Sequence, residues 1–144
     1  MQLKATLVMI KIKSNIKETV LHLVYRSEEF KESRTELVQA DQFIQCAYLK
    51  LEEGQTFRPH KHIWKSPNFK RVIAQESWVV IKGKVKVLFY DIDGSFLESH
   101  ILTPGDSSFT LEGGHTYEIL EDDTLVYEYK TGPYEGQELD KKFI

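Results

Sequence analysis

The residues best suited to hold a cation fall in three short stretches of this sequence. The first is Gly54-Gln55-Thr56-Phe57-Arg58-Pro59-His60-Lys61-His62. In an extended strand, residues two apart share a face and stand about 7 Å apart, so the imidazoles of His60 and His62 can turn toward one ion. The same spacing also suits two surface histidines on an edge strand. The second stretch is Glu76-Ser77-Trp78-Val79-Val80-Ile81-Lys82-Gly83, where Glu76 opens an otherwise mostly apolar run. A carboxylate on the buried face of such a strand is costly unless it is paired or bound to a cation. With the opposite strand phase, Gln75 faces inward and Glu76 meets solvent. The third stretch is Gly105-Asp106, then Leu111-Glu112-Gly113-Gly114-His115, in which a diglycine turn delivers His115 to the start of a strand or leaves it in a hairpin loop.

The elements that must position these residues read as β-structure. Residues 3–13 alternate loosely and are rich in branched side chains, which predicts a strand broken by Ser14-Asn15. Residues 14–36 stay ambiguous, although Ser27-Glu28-Glu29 suits a helical turn with an N-cap serine and acids in the first turn. From Gln42 onward strands are predicted over 43–51, 57–64, 76–82, 84–90, 96–102, 107–111, 115–120 and 124–130. The turns between them carry Glu53-Gly54, Gly83, Asp93-Gly94 and Pro104-Gly105. Short strands at this spacing, punctuated by Gly and Pro, indicate a sandwich or a barrel. The expected division is an N-terminal extension over 1–36, a barrel over 37–131, and a polar tail over 132–144 packed on the barrel.

Together the three stretches resemble the two motifs of the cupin superfamily. Gly54, His60, His62, Glu76 and Gly83 match the first motif, with the five-residue gap before His60 and the six-residue gap before Gly83 intact. The departure is a spacer of thirteen residues between His62 and Glu76, longer than the family's. Gly105, Gly113 and His115 match a degraded second motif: His115 comes one residue early and Leu111 stands at the usual proline. Within the superfamily the chain looks most like the WbuC-like cupin-fold metalloproteins. That likeness runs through Asp41-Gln42-Phe43-Ile44-Gln45, Lys84-Val85-Lys86-Val87-Leu88-Phe89-Tyr90-Asp91 and Glu128-Tyr129-Lys130-Thr131-Gly132-Pro133-Tyr134. The resemblance implies an all-β fold, a jelly-roll barrel (the cupin double-stranded β-helix), with one divalent metal held by His60, His62, Glu76 and His115. It also implies a role near nucleotide-sugar or surface-polysaccharide synthesis, and pairing of two barrels into a homodimer, for which the N-terminal strand is a candidate crossing element.

Three imidazoles and a carboxylate would leave open positions on a six-coordinate ion, and that donor set suits Fe, Mn, Ni, Co or Zn. A metal-polarised carbonyl favours proton abstraction beside it, the step of a sugar isomerase or epimerase. Competing expectations are a metal-dependent dioxygenase, a non-catalytic sugar- or metal-binding module, and a metal-free cupin using histidine as acid and base. The long spacer, 63–71, carries Trp64, Lys65, Phe69, Lys70 and Arg71, with Arg58 and Lys61 just before it. Arg58, Lys61, Trp64, Lys65, Lys70 and Arg71 are candidates to bind a phosphate or nucleotide sugar at the barrel mouth; a solvated basic hairpin tip is the alternative. Glu112 and Tyr117 are candidate proton donors or acceptors near His115. Cys46 reads as a buried small side chain, and His22 and His100 as structural or surface residues.

Composition narrows the classes. At 144 residues the chain suits a single domain, with an ordinary soluble balance of 28% charged and 41% hydrophobic residues. A net charge of −3 speaks against a broad nucleic-acid surface. The single cysteine allows no intrachain disulfide and fits a reducing cytoplasm. No signal peptide or membrane span is read from the sequence. The expected partner is a small-molecule substrate.

Overall fold

The computed structural model describes residues 9–29 and 32–144. The strands are β1 (Met9–Lys13), β2 (Val20–Tyr25), β3 (Arg34–Glu36), β4 (Ala47–Leu49), β5 (Glu76–Lys82), β6 (Val85–Tyr90), β7 (Phe96–Leu102), β8 (Ser107–Thr110), β9 (Gly114–Ile119) and β10 (Leu125–Lys130). A 3-10 turn over Ser27–Glu29 and a short helix, α1 (Gln137–Asp140), complete the described elements. The fold is all-β. The part of the expected first strand that precedes Met9 lies outside the described residues.

The strands form a five-stranded sheet in the order β1-β2-β8-β5-β10, a three-stranded sheet β7-β6-β9, and the β3-β4 hairpin pair. Every pairing is antiparallel. The two larger sheets pack face to face through Ile12, Val24, Val80, Val85, Val87, Phe89 and Leu102, all nearly inaccessible to solvent. Period-two alternation decides this: Val85, Val87 and Phe89 point inward from β6 while Lys86 and Leu88 do not. A second core lies on the opposite face of the large sheet, where Leu23, Tyr25, Phe109 and Leu111 meet Leu37, Val38 and Ile44. The segment left unassigned by sequence, 14–36, therefore supplies β2, which pairs with both β1 and β8 inside the large sheet.

The strand expected over 57–64 is absent, and residues 50–75 form no strand or helix. Pro59 and Pro67 remove backbone donors there, and without a neighbouring strand an extended segment has no ladder to join. Likewise 43–51 contracts to β4. Every residue from 51 to 73 is exposed, and the chain re-enters the fold at buried Gln75. Among the described residues, no helix is long and apolar enough to cross a membrane.

Candidate functional site

Strand register builds a polar row across the inner face of the large sheet. His22 stands opposite Thr110, Thr110 opposite Glu76, and Glu76 opposite Lys130. Glu76 takes the inner phase together with Trp78 and Val80. Gln75 faces the other way, where its side chain accepts from the Ile44 amide and donates to Gln42 and to the Leu111 carbonyl. The phase left open by the sequence is thereby decided: the carboxylate, not the amide, faces between the sheets.

From the facing sheet, β9 contributes His115, paired across β6 with Phe89. Its Nε2 lies 3.2 Å from Glu76 Oε1, with the two side chains only 21% and 16% exposed. His115 Nδ1 is buried and has no hydrogen-bond partner among the described residues. A buried ring nitrogen without a partner forfeits its hydration, about 1–3 kcal/mol, so this atom marks a place where water or a ligand is wanted. Gly113 shapes the approach. Its φ is +86°, and a Cβ there would lie 2.6 Å from the Tyr90 carbonyl and 3.2 Å from His22 Nε2.

The surroundings set the charge state of the pair. Burial pulls the Glu76 pKa up, but the hydrogen bond and charge of His115, with Lys130 and Lys141, outweigh it and hold the carboxyl below its usual range. Burial pulls Lys130 down, and Asp140, 3.2 Å away, with Glu76 and Glu128 more than restores it. Lys130 Nζ also sits 4.6 Å over the Tyr134 ring. Tyr117 stacks flat on Trp78 at 3.7 Å, with its hydroxyl 3.4 Å from Ser108 Oγ. Burial drives its pKa far up, so it stays protonated and walls the site beside His115.

His22 completes the row. Its Nε2 is 3.0 Å from the Tyr90 carbonyl, which only accepts, so the proton is assigned to Nε2. Nδ1 then accepts from the Thr110 hydroxyl at 3.0 Å. Burial, opposed by the Tyr90 bond, lowers its pKa to about 4. The sequence reading left His22 as a structural or surface residue and singled out neither Thr110 nor Lys130; His22 is the buried, hydrogen-bonded kind. For His22 a signal existed: a histidine inside Val20-Leu21-His22-Leu23-Val24-Tyr25 sits in an apolar run and must find buried partners.

The remaining candidates lie elsewhere. His60 and His62 are neighbours, ring centroids 5.4 Å apart, on the exposed segment, and His60 Nδ1 donates to the Arg58 carbonyl at 3.1 Å. The structure thus brings the four expected ligands together as two pairs. Among the described residues, no group of three or more His, Cys, Asp and Glu side chains converges. Arg58, Lys61, Trp64, Lys65, Lys70 and Arg71 are all exposed, and none of the cations among them is in an ion pair with a described residue. Phe69 is tethered to a described residue, edge-on to Phe43 at 5.0 Å. Glu112 is paired with Lys17 at 2.6 Å. Cys46 is half-buried, its thiol pKa raised by burial and by Glu36. A cleft of about 790 Å³ opens on the outer face of the large sheet, lined by Leu23, Tyr25, Leu37 and Leu111, and includes none of the candidate site residues.

Two donors about 2.1 Å from one ion, and at right angles, stand about 3.0 Å apart. The 3.2 Å between Glu76 Oε1 and His115 Nε2 fits that spacing, and carboxylate with imidazole is a donor set that binds divalent metals. The same distance is an acid–base pair able to hold one shared proton. A scan against family models found no match for this chain, and searches of curated proteins and of solved structures found none either.

Proposed function

We propose that this chain is a cupin-type metal-binding protein acting on a small carbohydrate-derived or nucleotide-sugar substrate, with isomerisation or epimerisation as its reaction. The observation that carries the reading is the inward-facing Glu76–His115 pair, 3.2 Å apart, with the second imidazole nitrogen buried and without a partner among the described residues. Glu76 and His115 would hold one divalent ion, with His60 and His62 completing the set. When bound, the ion supplies Lewis acidity at a substrate oxygen. The chain's own residues do the rest. Lys130 places a positive charge behind Glu76, protonated Tyr117 and Trp78 form an apolar wall that excludes water, and the cations of 58–71 meet an anionic substrate group.

A metal-free second reading is favoured by the direct contact of Glu76 with His115, which can by itself pass a proton between two carbons of a bound sugar. Elemental analysis of protein purified without a metal-affinity tag separates the two. The expected result is about one metal per chain, lost in Glu76→Gln and in His60→Ala/His62→Ala. Metal-free protein that still turns over a sugar assigns the metal-free mechanism. Screening nucleotide sugars with and without O₂ distinguishes isomerase from dioxygenase, and binding without turnover in either condition identifies a sensor module.

A further inference from the structure

Two exposed surfaces of this fold complement each other in charge. One is the segment 55–73. It carries Arg58, Lys61, Lys65, Lys70 and Arg71 with no acid among them, and exposes Phe57, Ile63, Trp64, Phe69, Val72 and Ile73. Trp64 has no contact that shields it at all, at 101% exposure. The other is formed by β9 and β10, consecutive strands in different sheets. β9 ends the three-stranded sheet and β10 ends the five-stranded sheet, so among the described residues both strands present open edges whose outward N–H and C=O groups can accept another strand. Between Glu112 and Tyr129 there are six acids and no lysine or arginine. Glu112, Glu118 and Glu121 are paired with Lys17, Lys86 and Lys84, while Asp122 and Asp123 are in no ion pair with a described residue. Ile119, Leu125, Tyr127 and Tyr129 are exposed along the same two edges.

We infer that residues 55–73 of one copy dock along the open β9 and β10 edges of a second copy, reciprocally, to form a strand-exchanged dimer. The segment leaves its own β9 and β10 uncovered: residues 51–73 are all exposed, with Phe69 against Phe43, while Ile119, Leu125, Tyr127 and Tyr129 stay exposed. Aromatic side chains bury about 150–250 Å² each when fully covered. Covering the exposed parts of Phe57, Trp64 and Phe69 therefore gives about 400 Å², half of the ~800 Å² that each side of a specific interface contributes. Backbone pairing and the other apolar residues supply the remainder, and charge sets the register. On the metal reading above, which this clause alone rests on, exchange carries His60 and His62 to the second copy's Glu76 and His115.

The test uses mixing of full-length variants, read by light scattering. Wild type is expected to be a dimer. Lys65→Glu/Lys70→Glu and, separately, Glu118→Lys/Asp122→Lys should each weaken dimerisation at least 10-fold. An equimolar mixture of the two should restore it, because each segment then meets β9 and β10 of opposite charge on the other copy. In a Cys46→Ser background, Ile63→Cys with Ile119→Cys should form a disulfide that doubles the mass. A monomeric wild type, a disulfide that closes within one chain, or variants that stay dimeric when unmixed would overturn the exchange. Metal content is read separately: an equimolar mixture of His60→Ala/His62→Ala with Glu76→Gln should regain about a quarter of the wild-type metal, since half of the dimers are mixed and each mixed dimer rebuilds one of its two sites. A dimer that passes the mass test yet binds no metal refutes the function and leaves the exchange standing.

Discussion

At the scale of single residues, the inner polar row makes stability depend on pH in two ways. His22 is held neutral with a pKa near 4, below the about 6.5 of an unfolded chain. The unfolded state therefore binds the proton first, and the stabilisation present above pH 6.5 is lost as pH falls toward 4, a difference of about 3 kcal/mol. Urea unfolding at pH 7 and pH 4.5 should show that loss. His22→Gln, which can still donate to Tyr90 and accept from Thr110, should flatten the slope; an unchanged slope would remove His22 as its source. Glu76 acts in the same direction at lower pH. Its depressed pKa favours the fold above the unfolded carboxyl value and is lost as pH drops through the folded one. Replacing Lys130 by Met withdraws one of the charges that hold it there, so the Glu76 carboxyl signal in an NMR titration should move to higher pH.

At the scale of elements, the turn before β9 is the most constrained part of the site. Gly113→Ala combines a left-handed φ of +86° with a Cβ 2.6 Å from the Tyr90 carbonyl. It should destabilise the protein by about 1–3 kcal/mol, measured by thermal unfolding, and should disturb the Tyr90–His22 bond. Gly83 turns the chain from β5 in the large sheet to β6 in the smaller one at φ +87°, with Thr124 against it. These glycines were legible in the sequence as turn residues, and β5 and β7 fall on their expected spans, each ended by a turn signal, Gly83 and Pro104-Gly105. The expected strand over 57–64 failed for a reason local pattern does not contain. A strand exists only where a neighbour supplies its ladder, and none stands beside that segment.

At the scale of the whole molecule, stability resides in the two cores on either face of the five-stranded sheet. Phe89→Ala empties the middle of the inner core and should cost about 3–5 kcal/mol. Excising 55–71 and bridging the gap with a short Gly-Ser linker removes only exposed chain and the Phe43–Phe69 contact. The unfolding midpoint of the monomer in denaturant should shift little, and a large loss would show that this segment packs on its own sheets. The tail also belongs to the fold, since Lys130 meets Asp140 at 3.2 Å, and Ile144 lies so close to Gly114 that an added Cβ would stand 2.7 Å from its Cδ1.

The sequence by itself determined the all-β character, the turn positions and the residue types able to carry chemistry, because alternation, glycines and histidines are properties of the chain read locally. It did not determine which of Gln75 and Glu76 faces inward, that His22 joins Thr110 and Glu76 in one row, or that His115 meets Glu76 while His60 and His62 pair apart. Those are matters of register and sheet packing. A one-residue change of phase sends every side chain of a strand to the other face, and only contacts between strands distant in sequence choose the phase.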